Sequence, residues 1–256
     1  MISQAQIEVF FFIAARLSGL FIQAPFFSSR SVPFAVKSAL VIWLSIILWF
    51  IVPYNHGLPT TTVGFLTVIA AEVFLGFVMG FACNIILTAI QSGGEIIDLQ
   101  MGLSVASALD PIFGSVISII GRLIFFVALI IFITIDGHHM LLSAFHQSFT
   151  TIPAGTIANF FSDNLAIQMI KLGSDLWLIA IKIAIPTVLF IFLIDFSFGI
   201  VSRVAPQVNV FMLGFQVKPI VGLLGIMVTL PLIVNFMEHL LEKMMQNLVY
   251  IVTFVK

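Results

Sequence analysis

The chain has 256 residues, of which 61% are hydrophobic and 8% charged, with a formal net charge of −1 and a mean hydropathy of +1.23. Soluble domains carry roughly 25% charged residues, so this chain has too few polar groups to cover a surface in water. That excludes a soluble fold, and the absence of a basic stripe excludes a nucleic-acid partner; the composition is that of an integral membrane protein.

In chain order, the N-terminal MISQAQIEVFFF has no lysine or arginine ahead of its apolar run and no small-residue cleavage site, so the first segment is expected to stay in the mature protein. Six apolar stretches follow, at 9–27, 35–52, 63–90, 113–135, 176–201 and 220–236. Each is near or above the ~20 residues that cross a bilayer as helix. No barrel-like alternation is present, so helix is predicted throughout. Pro33, Pro53, Pro59, Pro206 and Pro219 stand where helices are expected to stop or start. Residues 91–112 and 136–175 read as the two longer connectors. The second opens on DGHH, holds a TTIPAGT turn and ends in NLAIQMIKLGSDL, a short amphipathic helix by its pattern. Neither connector can hold a soluble domain, which predicts one polytopic domain.

Five charges interrupt the apolar stretches: Arg16, Glu72, Arg122, Lys182 and Asp195. A charge at the bilayer centre costs about 2.5–3.5 kcal/mol on insertion scales, so each is expected to be buried against protein, to meet a partner or water, or to snorkel. Gly76 and Gly80 form a small-xxx-small pair suited to close helix packing. The lone cysteine, Cys83, permits no intramolecular disulfide. Positive charge does not fix a topology, since six crossings set Arg30, Lys37, Arg203 and Lys218 against Lys171, Lys243 and Lys256. Asp136, His138, His139 and His146 in DGHHMLLSAFH invite a metal reading, but His146 is two helical turns beyond the rest. There is no GxSxG elbow, HExxH pair or GxxxxGK[ST] loop, so no enzyme is predicted.

The polar islands carry the strongest pattern. QSGGEIIDLQMGLSVASALDP, DGHHMLL, the proline Pro153 after TTI, and SRVAPQVNVFMLGFQVK occur in that order across the chain. Together they resemble the FliR family, flagellar biosynthetic proteins of the type III secretion export gate. The most specific parts are QMGLS…DP and RxxPQxNxFxxGF, the latter carried by Arg203, Pro206, Gln207, Asn209, Phe211, Gly214 and Phe215. Gln216 stands where the family has a proline, with Pro219 shortly after.

The resemblance implies an all-α membrane protein of about six long hydrophobic helices, arranged as bent, partly broken hairpins in a helical hetero-oligomeric pore complex. It implies FliP and FliQ as partners in that complex, FlhB and FlhA in the wider apparatus, membrane lipid around it and unfolded export substrates as cargo. It implies no cofactor or metal, and a place in the bacterial inner membrane at the flagellar basal body. The part at about 1–175 is FliP-like, and the hairpin at about 176–256 is FliQ-like. Arg203, Pro206, Gln207, Asn209, Phe211, Gly214, Phe215 and Lys218 become a hairpin tip at a subunit interface. By residues alone they also fit a solvated loop. Gln100, Met101, Gly102, Leu109, Asp110, Pro111, Ile112, Phe113 and Gly114 become the gate and plug. There Pro111 would stop a helix, Gly114 permit a tight path, and Ile112 with Phe113 form an apolar constriction that gates by dewetting. The same residues fit a re-entrant turn without a gating role. Three other functions remain open at this point: a subunit of a virulence type III system, a small proton-coupled secondary transporter using Glu72, Asp195, Arg122 and Lys182, and a membrane metalloenzyme.

Overall fold

The computed structural model describes residues 4–25, 27, 32–53, 59, 61–104, 118–156 and 163–253. Every regular element among them is a helix: α1 (Gln4–Gln23), α2 (Phe34–Trp49), α3 (Thr62–Met101), α4 (Ile119–Thr134), α5 (Gly137–Thr151), α6 (Asp163–Val204) and α7 (Val210–Thr253). Among the described residues, α1, α3, α6 and α7 are each long and apolar enough to cross a membrane, and α4 with α5 makes a fifth span if taken together.

Helices run well beyond the apolar stretches. The predicted connector at 91–112 is helical as far as Met101, and the one at 136–175 contains α5 and the first turns of α6. The reason is that the small and polar residues Gly93, Gly94 and Asp98 are themselves buried in the packing. Ser92, Gly93, Gly94 and Asp98 continue the helix because their neighbours Ile90, Ile97 and Met101 are buried. Pro219 does not end a helix either; it lies inside α7, as Pro186 lies inside α6. An internal proline frees the carbonyl four residues back, and membrane helices tolerate this where another group can reach it.

The chain divides into two compact units. The first comprises Met1–Ile85, Ile135–Gly173 and Leu241–Lys256. Its core is a set of helical stripes: Val9, Phe12, Ile13, Leu17 and Leu20 on α1, Val68, Leu75, Met79 and Cys83 on α3, and Leu141, Phe145 and Phe149 on α5. α1 and α3 touch backbone to backbone. A Cβ on Gly76 would strike the Arg16 carbonyl, one on Gly19 the Val73 carbonyl, and one on Gly80 would lie 2.6 Å from the Leu20 carbonyl. Only glycine fits this crossing.

The second unit comprises Ile86–Thr134 and Ser174–Leu240. Gly94 meets Gly121, where an added Cβ would be 2.6 Å from the Gly121 Cα. α6 and α7 pack as an antiparallel hairpin through Ile183, Thr187 and Ile191 on one side and Ile226, Thr229 and Ile233 on the other. The Thr187 and Thr229 hydroxyls are 3.0 Å apart in that seam, each satisfying a polar group that lipid could not.

Candidate functional site

The hairpin break is short. α6 closes with Arg203 in its last turn, where a cation favours the helix dipole, and Val204 is followed by a five-residue break, Ala205–Asn209. Pro206 cannot continue the α6 hydrogen-bond ladder. Asn209 then restarts the chain as helix: its side-chain oxygen accepts the Met212 N–H at 3.2 Å, an N-cap on α7. Arg203, Pro206 and Gln207 are exposed at this tip. Of the seventeen residues from Arg203 to Pro219, ten therefore belong to α7 and not to a loop.

Below the tip, the second unit holds a cavity of about 560 Å³. It brings together two predicted groups that are more than a hundred residues apart. Gln100, Met101 and Gly102 line it from the end of α3, and Phe211, Gly214, Phe215 and Lys218 from the start of α7. Asp195 joins from α6, with its Oδ1 2.6 Å from Lys218 Nζ. Gly102 ends α3 at φ +79°, and a Cβ there would stand 3.6 Å from the Phe215 ring. Gly222 leaves room for the Met101 side chain, whose Cγ would be 2.5 Å from an added Cβ. Phe215, four residues before the in-helix Pro219, also lines this cavity. The cavity thus offers an ion pair and aromatic edges around an apolar space. Such a lining suits binding of a protein segment.

The other predicted residues fall elsewhere. Leu109, Asp110, Pro111, Ile112, Phe113 and Gly114 lie outside the described residues. Of the five interrupting charges, only Arg16 and Glu72 are buried; Asp195 is partly exposed, and Arg122 and Lys182 are exposed on this chain. Those three face outward from the packed stripes, where a partner, water or the membrane boundary would have to meet them.

Arg16 and Glu72 form a closed polar cluster inside the first unit. Arg16 Nε donates to Glu72 Oε2 at 2.5 Å, one terminal nitrogen donates to Ser148 Oγ at 3.0 Å, and the other to the Ile152 carbonyl at 3.0 Å. Its guanidinium carbon sits 3.9 Å from the Phe149 ring centroid. Glu72 Oε1 accepts the N–H of Gly155, which is held at φ +87°. With its carboxylate answered by Arg16 and a backbone amide, Glu72 has the geometry of a structural brace, not of an exchanging proton carrier.

Sequence reasoning missed Asp98. It is buried, accepts the Ser104 hydroxyl at 3.1 Å and faces the first N–H groups of α4, with Ile120 N at 3.5 Å. Ser118 caps the same helix by accepting the Gly121 N–H at 2.8 Å. The signal was available in the spacing, since Gly94, Asp98 and Met101 share one helical face.

Long, predominantly apolar helices and an internally satisfied buried ion pair define an all-α integral membrane protein. Within that class, the chain belongs to the family described as bacterial export proteins, family 1, whose profile matches residues 7–244. It is 30% identical to the flagellar biosynthetic protein FliR of Escherichia coli (strain K12) over 247 residues, covering 96% of this chain and 94% of that one. The flagellar biosynthetic protein FliR of Bacillus subtilis (strain 168) is 28% identical, with 95% of each chain covered. The Yop proteins translocation protein T of Yersinia pestis is 33% identical over 150 residues, 59% of this chain and 58% of that one.

Proposed function

We propose that this chain is a non-enzymatic core subunit of the flagellar type III protein export gate, seated in the bacterial inner membrane at the basal body. The observation that carries this reading is coverage: the FliR of Escherichia coli matches along 96% of this chain, whereas the Yop proteins translocation protein T of Yersinia pestis matches along 59%. In this reading FliP and FliQ are its partners in the core complex, and FlhB and FlhA contact the assembled gate. The region at about 1–175 takes the FliP-like position and the α6–α7 hairpin, about 176–256, the FliQ-like one. The hairpin tip and the cavity beneath it form subunit contacts. Gln100, Met101 and Gly102 anchor a plug formed by Leu109, Asp110, Pro111, Ile112, Phe113 and Gly114.

The decisive experiment is native mass spectrometry of the tagged chain, gently extracted from its own membrane. An assembly holding several copies of two other small hydrophobic proteins supports the reading. A bare monomer or homodimer, under conditions that preserve other complexes, overturns it. Deleting the gene in a flagellated host separates the two type III systems: loss of motility supports the flagellar assignment, and swimming cells with a secretion defect support the virulence one.

A further inference from the structure

α5 opens on Asp136, Gly137, His138 and His139, at the polar end of the apolar stretch 113–135, and the export reading gives this cluster no task. We propose that Asp136, His138 and His139 form a three-ligand site for a divalent transition metal of the zinc class, with at least one coordination position left open.

Three potential ligand atoms, one from each residue, lie within 4.8 Å of one another. One edge already has the dimensions of a site: His139 Nδ1 is 3.4 Å from Asp136 Oδ1. Two tetrahedral ligands, each about 2.0–2.1 Å from a shared ion, stand about 3.4 Å apart. Closing the wider edges therefore needs side-chain rotation of roughly 1 Å. Two nitrogens and one carboxylate oxygen make a borderline donor set suited to Zn²⁺.

Further observations point the same way. Asp136 precedes α5 at the N-cap position but makes no side-chain cap hydrogen bond, although aspartate there ordinarily binds the first amides. Its backbone is left-handed, at φ +57°, the only such non-glycine conformation among the described residues, and its carboxylate is turned to His139. The two imidazoles pack with centroids 4.1 Å apart. His138 Nδ1 is buried without a hydrogen-bond partner, a polar atom that the protein leaves unanswered. Asp136 and His139 are exposed, so an ion can enter from water without the fold opening.

The test uses the full-length chain, purified in detergent through a tag without histidines and dialysed against Zn²⁺, with metal counted by plasma mass spectrometry. The expected result is one zinc per chain in the wild type and in His146→Ala, which lies outside the cluster. The double variant His138→Ala/His139→Ala should bind less than about a fifth as much. Asp136→Asn should weaken binding at least tenfold, since even the loss of an outer-shell partner typically costs about 10–100-fold. A wild type without stoichiometric zinc, or a double variant that retains it, overturns the site. If the double variant elutes as aggregate, His139→Gln replaces it and Co²⁺ absorption is read instead: loss of the visible band supports the site, and an unchanged band overturns it. The readout is metal content, so the site stands or falls separately from the export role.

Discussion

At Arg16 the chain sets a cation into the apolar stripe of α1 and then answers each of its donor groups from α3, α5 and the turn that follows α5. Val9, Phe12, Ile13, Leu17 and Leu20 mark the stripe, and Arg16 occupies one of its core positions. A buried guanidinium is tolerated because its partners are complete, not because charge is stabilising there. The prediction is asymmetric. Arg16→Ala or Glu72→Ala strands the other charge and should cost about 3–5 kcal/mol, a large share of the ~5–15 kcal/mol that holds a typical domain. Arg16→Met combined with Glu72→Leu removes both charges at similar volume and should recover most of that loss. Thermal unfolding of the detergent-solubilised variants measures both effects. A double variant no better than either single one would show that the pair holds the fold through specific geometry and not through charge balance. The sequence made Arg16 and Glu72 conspicuous, but nothing in it announced Ser148, Ile152 and Gly155 as their partners. Those contacts depend on where the chain returns 83 to 136 residues further along.

The helices themselves were largely legible, while their ends were not. Each apolar run contains or touches a helix, because in lipid a backbone without internal hydrogen bonds is too costly. The errors arose where helix faces are polar or glycine-rich: Gln91–Met101 read as a connector, yet Gly93 and Gly94 are there to let neighbouring backbones approach. The same contacts make glycine substitutions informative. Gly76→Ala drives a Cβ into the Arg16 carbonyl. Rigid backbone cannot yield as a side-chain tip can, so a loss of about 1–3 kcal/mol is expected. Gly173 has nothing within 4 Å of an added Cβ, and Gly173→Ala should instead stabilise α6 by about 0.5–1 kcal/mol. Opposite shifts in unfolding temperature would support this packing, whereas equal losses would show that helix flexibility matters more than contact. Asp195 and Lys218 link α6 to α7 in the same element-scale sense. Removing either should weaken the hairpin by roughly 1 kcal/mol, since both groups are partly exposed and screened. The exchanged pair Asp195→Lys/Lys218→Asp should restore it. Cross-linking efficiency between cysteines placed on the two helices reads this directly, and an exchanged pair as loose as the single variants would count against the bridge.

At the scale of the molecule, the surface of the α6–α7 hairpin argues for partners. Phe192, Phe196 and Phe211 are each at least 60% exposed, as are Met227 and Val228. Apolar exposure of this extent on a membrane protein is covered either by lipid or by other subunits. The polar residues decide between them at the tip. Arg203, Gln207 and Asn209 lie exposed beside Phe211 and Met212, and α6 and α7 contain 42 and 44 residues, about twice the ~20 that cross a bilayer. Lipid tails cannot satisfy a guanidinium and two amides on so apolar a surface, whereas a neighbouring subunit or water can. The prediction is therefore specific to assembly. Arg203→Ala/Gln207→Ala should leave the level of membrane-inserted chain unchanged, because neither side chain packs inside it. Recovery of the complex with its partners should fall by roughly tenfold or more, since one charged and one neutral hydrogen-bonding group together contribute about 2–4 kcal/mol at a contact. Quantitative pull-down through the tagged chain, normalised to its own abundance, gives the answer. Unchanged recovery would place the tip in water and move the search for the interface to the phenylalanine face of α6. A proportional fall in both chain and complex would mean that the tip serves folding before it serves assembly.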